Sequence, residues 1–170
     1  MVFSDNDYDW LGHGMYFWEN SLKRAEQWAQ KGHPCSMAED YEPAVVGCVI
    51  DLGRCLDFLE ATSLEMLRTA YDSLVDSFRI LNLPLPVNSS GSDLLLRRLD
   101  CAVIERIHQI QGSAGQLPFD SVRAAFWEGD EPYPGAGFRD KNHLQICIRN
   151  PNCLKGFFLP RESDDTFQMP

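Results

Sequence analysis

The chain has 170 residues and a formal net charge of −10 at pH 7 with the histidines neutral. Its length suits one domain better than two independent cores, and a hydrophobic fraction of 44% is that of an ordinary folded protein. The charge excludes a broad basic surface that holds nucleic acid electrostatically. Residues 1–96 carry 6 basic and 15 acidic side chains, and residues 97–170 carry 9 and 10. Any contact with a polyanion is therefore expected in the second half.

Aromatic and apolar runs predict a strand, a helix and a second strand in the first part of the chain. The aromatic run at residues 14–18 predicts a strand, and Asn20 or Ser21 can cap the helix that follows it. The continuous apolar run at residues 44–50 predicts a strand that is buried on both faces. A capping-box pattern at residues 62–65, followed by apolar side chains at helical spacing, predicts a long helix.

The second part of the chain changes from helical to strand patterns. A connection rich in Pro, Ser and Gly leads to a helix that begins near Ser92 or Asp93 and ends before Gly112. Short apolar runs then predict strands at residues 121–127, 144–148 and 154–159, with a long Gly- and Pro-rich loop after the first of them. The sequence thus predicts one α+β domain over residues 1–160, followed by an acidic, flexible tail at residues 161–170.

No segment predicts a membrane span, a secretory signal or a metal site. The longest apolar stretch, residues 44–50, is far shorter than the roughly 20 residues that cross a bilayer. The first seven residues have neither the basic nor the apolar region of a secretory signal, so a cytoplasmic location is expected. The six cysteines form no C-x-x-C pair, and His33 and Cys35 are the only close metal-ligating pair. We expect reduced, mostly buried thiols and no bound metal.

The most distinctive pattern is the sequence DYDWLGHGMYFWE at residues 7–19, which precedes a short helix rich in Ala. It resembles the second conserved block of ADP-ribosyltransferase-like domains, which reads Gly-x-Gly, an apolar residue, Tyr and Phe. In poly(ADP-ribose) polymerase catalytic domains and their bacterial relatives, the tyrosine of this block stacks on the nicotinamide of NAD. The resemblance implies that Tyr16 stacks on NAD. It also implies a cofactor site that includes Gly12, His13 and Gly14.

Two observations complicate this assignment. Tyr16 has a simpler interpretation, in which its ring belongs to an aromatic core with Phe17 and Trp18. In addition, the first block of the family places a His or Arg on a strand before the glycine turn, and none of the eleven residues before Gly12 is His or Arg. His13 lies within the turn itself, so it does not simply replace that residue.

The sequence NHLQICIRN at residues 142–150 resembles the strand that carries the third catalytic position of the family, usually glutamate and here Gln145. A carboxylate stabilises the oxocarbenium-like charge of ADP-ribosyl transfer better than an amide does, although Gln145 can orient a ribose hydroxyl. Glu128, at the end of the preceding predicted strand, would supply the missing charge. Its simpler interpretation is a solvated residue at a strand end. Residues 45–59 are similar to the strand and turn that follow in many bacterial members.

The resemblance implies an NAD-dependent ADP-ribosyltransferase, a glycosyltransferase that moves ADP-ribose from NAD to a protein or nucleic-acid acceptor, with a role as a bacterial toxin or defence effector. The implied fold is a split mixed or antiparallel sheet with helices inserted between strands. Arg123, Arg139 and Arg149 are candidates for binding the NAD pyrophosphate or an RNA acceptor. Two alternatives stay open. One is a catalytically inactive module of this fold that binds a nucleotide-like ligand or a protein partner, and the other is an unrelated α+β domain.

Overall fold

A computed structural model describes residues 2–31, 42–161 and 166, and shows an α+β fold with three α-helices. The elements are β1 (Met15–Trp18), α1 (Leu22–Lys31), β2 (Gly47–Ile50), β3 (Cys55–Asp57), α2 (Ala61–Ile80), β4 (Asn88–Ser89), β5 (Leu96–Arg97), α3 (Arg98–Ser113), β6 (Ser121–Phe126), β7 (His143–Ile148) and β8 (Leu154–Phe158). A 3-10 turn at Pro151–Cys153 immediately precedes β8.

The main sheet has the strand order β1-β7-β6-β3. Strand β7 pairs antiparallel with β1 and β6, whereas β3 pairs parallel with β6. Parallel neighbours need a long crossover, and α2 and α3 lie within the connection from β3 to β6. Strands β2 and β8 form a separate antiparallel pair, and β4 and β5 form a third, very short one. This topology puts the strand of Gln145 in the interior of the main sheet.

Apolar side chains cover both faces of the main sheet. On the face toward α2 and α3, the sheet residues Leu56, Val122 and Cys147 are fully buried. On the opposite face, Ile146 and Ile148 pack with residues of the β2–β8 pair. Successive residues of a strand point to opposite faces, so β7 contributes to both clusters. The result is a sheet that is buried on both sides at its centre.

The predicted strands at residues 121–127, 144–148 and 154–159 are confirmed with small shifts in their ends. The predicted strand at residues 44–50 is shorter, and its burial on both faces is wrong, because Val49 is 57% exposed. Strand β2 pairs only with β8 among the described residues, so it is not an interior strand.

The two central helices exist, but neither begins where the sequence predicts. Helix α2 begins at Ala61, so Thr62 lies inside the helix and the predicted capping box at residues 62–65 is wrong. The residue before the helix, Glu60, makes no capping hydrogen bond with its side chain. Helix α3 begins at Arg98, because residues 96–97 pair with residues 88–89 as a short hairpin.

The remaining sequence predictions concern termini, thiols and membranes. Only Arg161 and Thr166 of the predicted tail at residues 161–170 are described, and the rest lies outside the described residues. The described cysteines are free thiols, and those buried are Cys101, Cys147 and Cys153. No helix within the described ranges is long and apolar enough to cross a bilayer.

Candidate functional site

Tyr16 supports the glycine turn from inside the protein. Its hydroxyl donates a hydrogen bond to the carbonyl oxygen of Gly12 at 2.6 Å and accepts one from the backbone N–H of Leu11 at 2.8 Å. Its ring packs against the core cluster on the helix side of the sheet, and burial raises the pKa of the phenol far above its usual value. The structure thus places Tyr16 against the core on the helix side of the sheet, but it forms no aromatic core with Phe17, which packs in the cluster on the opposite face. Its stacking on NAD stays a prediction.

The backbone groups of His13 and Gly14 are also bound within the protein. Glu105 accepts a hydrogen bond from the N–H of His13 at 2.9 Å, and Arg149 donates one to the carbonyl oxygen of His13 at 3.0 Å. The N–H and the carbonyl of Gly14 pair with Ser4. The imidazole of His13 is 36% exposed. The imidazole is thus a part of the turn that is open to a cofactor.

Packing accounts for both glycines of the turn. Gly12 has φ +75°, and a Cβ there would lie 2.5 Å from Oε1 of Glu105. A Cβ on Gly14 would collide with the thiol of Cys147 and the backbone of Ile148. These glycines let the turn lie directly against α3 and β7. Their presence needs no phosphate or nicotinamide.

A group of polar side chains lies where β1, β6 and β7 adjoin α1, and all of them are buried except Trp18, which is partly exposed. We call Trp18, Arg24, Glu128, His143 and Gln145 the polar cluster. Glu128 is 7% exposed, and it accepts a hydrogen bond from Nη2 of Arg24 at 2.6 Å. The same carboxylate oxygen lies 3.9 Å from Nδ1 of His143. Gln145 is two residues further along β7, opposite Trp18 of β1. Glu128 is therefore not the solvated strand-end residue of the simpler interpretation.

Four atoms of the polar cluster are buried without a hydrogen-bond partner among the described residues. They are the donors Nε1 of Trp18 and Nε of Arg24, together with Nε2 of His143 and Oε1 of Gln145. An unsatisfied buried polar group costs about 1–3 kcal/mol, so native proteins keep few of them. Ordered water or the polar atoms of a ligand can satisfy such groups. The cluster thus holds both donors and acceptors that water or a ligand would have to satisfy.

The protonation state of His143 follows from its contacts. Nδ1 lies 2.8 Å from the carbonyl oxygen of Lys141, which can only accept a hydrogen bond. Burial lowers the pKa of His143 below its usual value, so the ring is neutral at neutral pH. The proton of the neutral ring is then on Nδ1. Nε2 keeps a lone pair and can accept a proton or a hydrogen bond.

The three arginines that were candidates for a pyrophosphate groove already have carboxylate partners. These pairs are Arg123 with Glu19 and Asp57, Arg149 with Glu105, and Arg139 with Glu131. An arginine held in this way offers less charge to a ligand than a free one. The predicted groove is thus not formed by unpaired cations. No group of three or more His, Cys, Asp or Glu side chains in the described part of the chain is suited to hold a metal ion.

A cavity of about 440 Å³ opens between α2, α3 and β6. Its aromatic lining includes Trp10 and Phe126, whose ring centroids are 4.8 Å apart in an edge-to-face arrangement. The same two rings approach the imidazole of His143, with centroid distances of 6.1 Å for Trp10 and 5.8 Å for Phe126. This aromatic pair therefore lies between the cavity and the polar cluster.

Sequence reasoning missed three members of the polar cluster as site residues, namely Trp18, Arg24 and His143. His143 had a usable signal, because it is two residues before Gln145 in the strand-like sequence 142–150, although the strand predicted there began at residue 144. Arg24 had none, since it is 104 residues away from its partner Glu128. Comparisons of the chain with protein-family models, curated proteins and solved structures found no match.

Proposed function

We propose that this protein is an NAD-dependent ADP-ribosyltransferase whose reaction centre is the polar cluster. The observation that carries the proposal is the buried carboxylate of Glu128, which lies beside His143. His143 is on β7, the strand that also holds Gln145. The likeness of residues 7–19 and 142–150 to the blocks of that family supports NAD as the donor. It also supports an ADP-ribosyltransferase-like type of α+β fold.

The proposed reaction breaks the bond between the nicotinamide nitrogen and C1′ of the ribose. Nicotinamide leaves with the electron pair of that bond, and positive charge develops on the ribose. A carboxylate close to this charge stabilises the transition state, which is the role we assign to Glu128. The unpaired Oε1 of Gln145 accepts a hydrogen bond from a ribose hydroxyl.

The acceptor completes the reaction by attacking C1′. Its nucleophilic atom forms the new bond and gives up a proton, and the lone pair on Nε2 of His143 is the group we assign to receive it. The acceptor is a macromolecule, either protein or nucleic acid. A role as a toxin or defence effector rests on the family resemblance alone.

A second candidate function is an inactive module that binds a nucleotide-like ligand or a protein partner. The ion pair between Arg24 and Glu128 favours it, because that carboxylate already has a cationic partner at 2.6 Å. The glycine turn favours it as well, since most of its backbone N–H and carbonyl groups already form hydrogen bonds within the protein. The two candidates differ in whether NAD is consumed.

One experiment separates them. The protein is incubated with cell lysate and NAD labelled on the adenylate half, while nicotinamide release and label in protein, RNA and DNA are followed. An enzyme releases nicotinamide and labels one of these fractions. We expect Glu128→Gln to lower the rate by about 100-fold, the usual effect of removing one charge-stabilising group. Glu65→Gln, on the exposed face of α2, is the matched control.

Other outcomes decide against the enzyme. If folded protein binds NAD in calorimetry but releases no nicotinamide, the binding module replaces the transferase. If folded protein neither binds nor consumes NAD, the transferase and a module that binds NAD both fail, and a module that binds another ligand or a protein partner is left.

A further inference from the structure

We propose that the cavity between α2, α3 and β6 is a binding site for a small aromatic monoanion, separate from the polar cluster. Its volume of about 440 Å³ is in the range of small-molecule sites. Its wall is mostly apolar and includes buried side chains of α3 and β6, such as Val103, Ile104 and Ala124. A wall of this kind favours a ligand with an apolar body.

The aromatic residues of the wall favour a ring as that body. Trp10, Phe58, Tyr71 and Phe126 all line the cavity. Aromatic side chains bind other rings through stacked or edge-to-face contacts, which add to the gain from burial. One or two fused rings would therefore match the volume of the cavity and the chemistry of its wall.

Trp10 is fixed in position before any ligand arrives. Its indole N–H donates a hydrogen bond to the carbonyl oxygen of Leu95 at 3.0 Å. The guanidinium of Arg97 lies over the indole, 4.2 Å from the ring centroid. A side chain held at both its polar and its aromatic parts loses little freedom on binding, which favours affinity.

The charged side chains of the lining indicate that the ligand is an anion. Arg68 is exposed on α2, and it makes no hydrogen bond or ion pair with any described residue. Asp100 also lines the cavity, but its carboxylate accepts hydrogen bonds from Asn88 at 2.8 Å and from Arg97 at 3.2 Å. The uncompensated charge is thus the positive one of Arg68. An arginine is suited to bind a carboxylate with two parallel hydrogen bonds.

The proposal is tested with 2-naphthoate and its neutral analogue 2-naphthamide, by calorimetry on the full chain. We expect the carboxylate to bind about fivefold more tightly, the effect of one exposed ion pair. Arg68→Gln should abolish this difference and leave binding of the amide unchanged. Arg79→Gln is the matched control, because Arg79 is on the same helix, is exposed and does not line the cavity.

A second variant locates the binding. Leu99 lines the cavity and is partly buried on α3, so Leu99→Trp should fill part of the space and weaken both ligands at least tenfold. Equal affinity of the carboxylate and the amide for the native protein would overturn the proposal. Failure of the folded native protein to bind either probe, or unchanged binding by folded Leu99→Trp, would overturn it too.

Discussion

The carboxylate of Glu105, in the middle of α3, accepts a hydrogen bond from the backbone N–H of His13 at 2.9 Å. The same carboxylate accepts a second hydrogen bond from Nη1 of Arg149 at 2.5 Å. One acidic side chain therefore joins the N-terminal turn, the helix layer and the end of β7. These three parts of the chain are far apart in sequence. Because the hydrogen bonds of Glu105 hold the turn against both α3 and β7, they fix the geometry of the turn.

Removal of this carboxylate should destabilise the fold. We expect Glu105→Ala to lower the free energy of unfolding by about 2 kcal/mol, because it leaves the guanidinium of Arg149 without its carboxylate and the His13 N–H without its acceptor. Urea denaturation followed by circular dichroism measures the change. Glu65→Ala, at an exposed position of α2, should change the value by less than about 0.5 kcal/mol. Equal effects of the two variants would contradict the assigned role of Glu105.

Gly12→Ala should lower the free energy of unfolding by more than the strain of a left-handed backbone alone would. The φ of Gly12 is +75°, and the new Cβ would lie 2.5 Å from Oε1 of Glu105 and 3.1 Å from Cγ2 of Ile104. Gly91 has a similar φ of +72° but open space around it, so Gly91→Ala measures the backbone cost alone, about 1–2 kcal/mol. We expect Gly12→Ala to exceed it by at least about 1 kcal/mol in urea denaturation. Similar losses would show that the turn moves to accept the methyl group.

Tyr16→Phe separates the structural role of the hydroxyl from the predicted role of the ring. The variant loses the hydrogen bonds to Gly12 and Leu11, so we expect its free energy of unfolding to fall by about 1–3 kcal/mol. If the ring stacks on nicotinamide, the folded variant keeps its affinity for NAD in calorimetry. An unchanged stability would contradict the hydrogen-bonding role.

The ion pair in the polar cluster should show strong coupling between its partners. Glu128→Leu leaves the guanidinium of Arg24 buried without its carboxylate, and we expect a loss of about 3–5 kcal/mol. The double variant with Arg24→Met removes both charges, and it should recover much of that loss because no unpaired buried charge remains. A double-mutant cycle in urea measures this coupling. Simple addition of the two single losses would contradict it.

A buried histidine, His143, and a partly buried one, His108, should make the fold sensitive to acid. Burial lowers the pKa of His108 to about 4, and it lowers the pKa of His143 as well. The unfolded chain then binds more protons than the folded one below pH 6.5, so stability is lost as the pH falls from about 6.5 toward 4. Between pH 7 and pH 4.5 the free energy of unfolding falls for both proteins. We expect this fall to be smaller for His108→Gln than for the native protein, by on the order of 1 kcal/mol. An identical pH profile for the two proteins would contradict this assignment.

Local patterns predicted the strands that carry the site, but not the start of α3. The side-chain oxygen of Asn88 accepts hydrogen bonds from the backbone N–H groups of Leu99 and Asp100. The helix is therefore capped by a residue of β4, eleven positions before Leu99. Capping rules search for a polar residue directly before the helix, so they selected Ser92 or Asp93 instead.

Only part of the candidate site could be predicted from the sequence. Gln145 and Glu128 were both identified from the chain, yet the burial of Glu128 depends on Arg24 of α1, which lies against it only in the folded protein. The cavity was not predicted at all, because its wall combines the segment before β1 with two helices and β6. Periodicity identifies which side chains face the core, but it does not show where the packing leaves a space.

The pairing of the first strand with the seventh has a consequence for biosynthesis. Contacts such as that between the Cys147 thiol and the carbonyl oxygen of Gly12 join residues 135 positions apart. Strand β1 and the glycine turn therefore stay without their partner on the ribosome until β7 has emerged from the exit tunnel. Closing such distant contacts is slow, and it leaves the aromatic segment of β1 exposed in the meantime. Nascent chains that stop before β7 should thus be sensitive to proteases and dependent on chaperones.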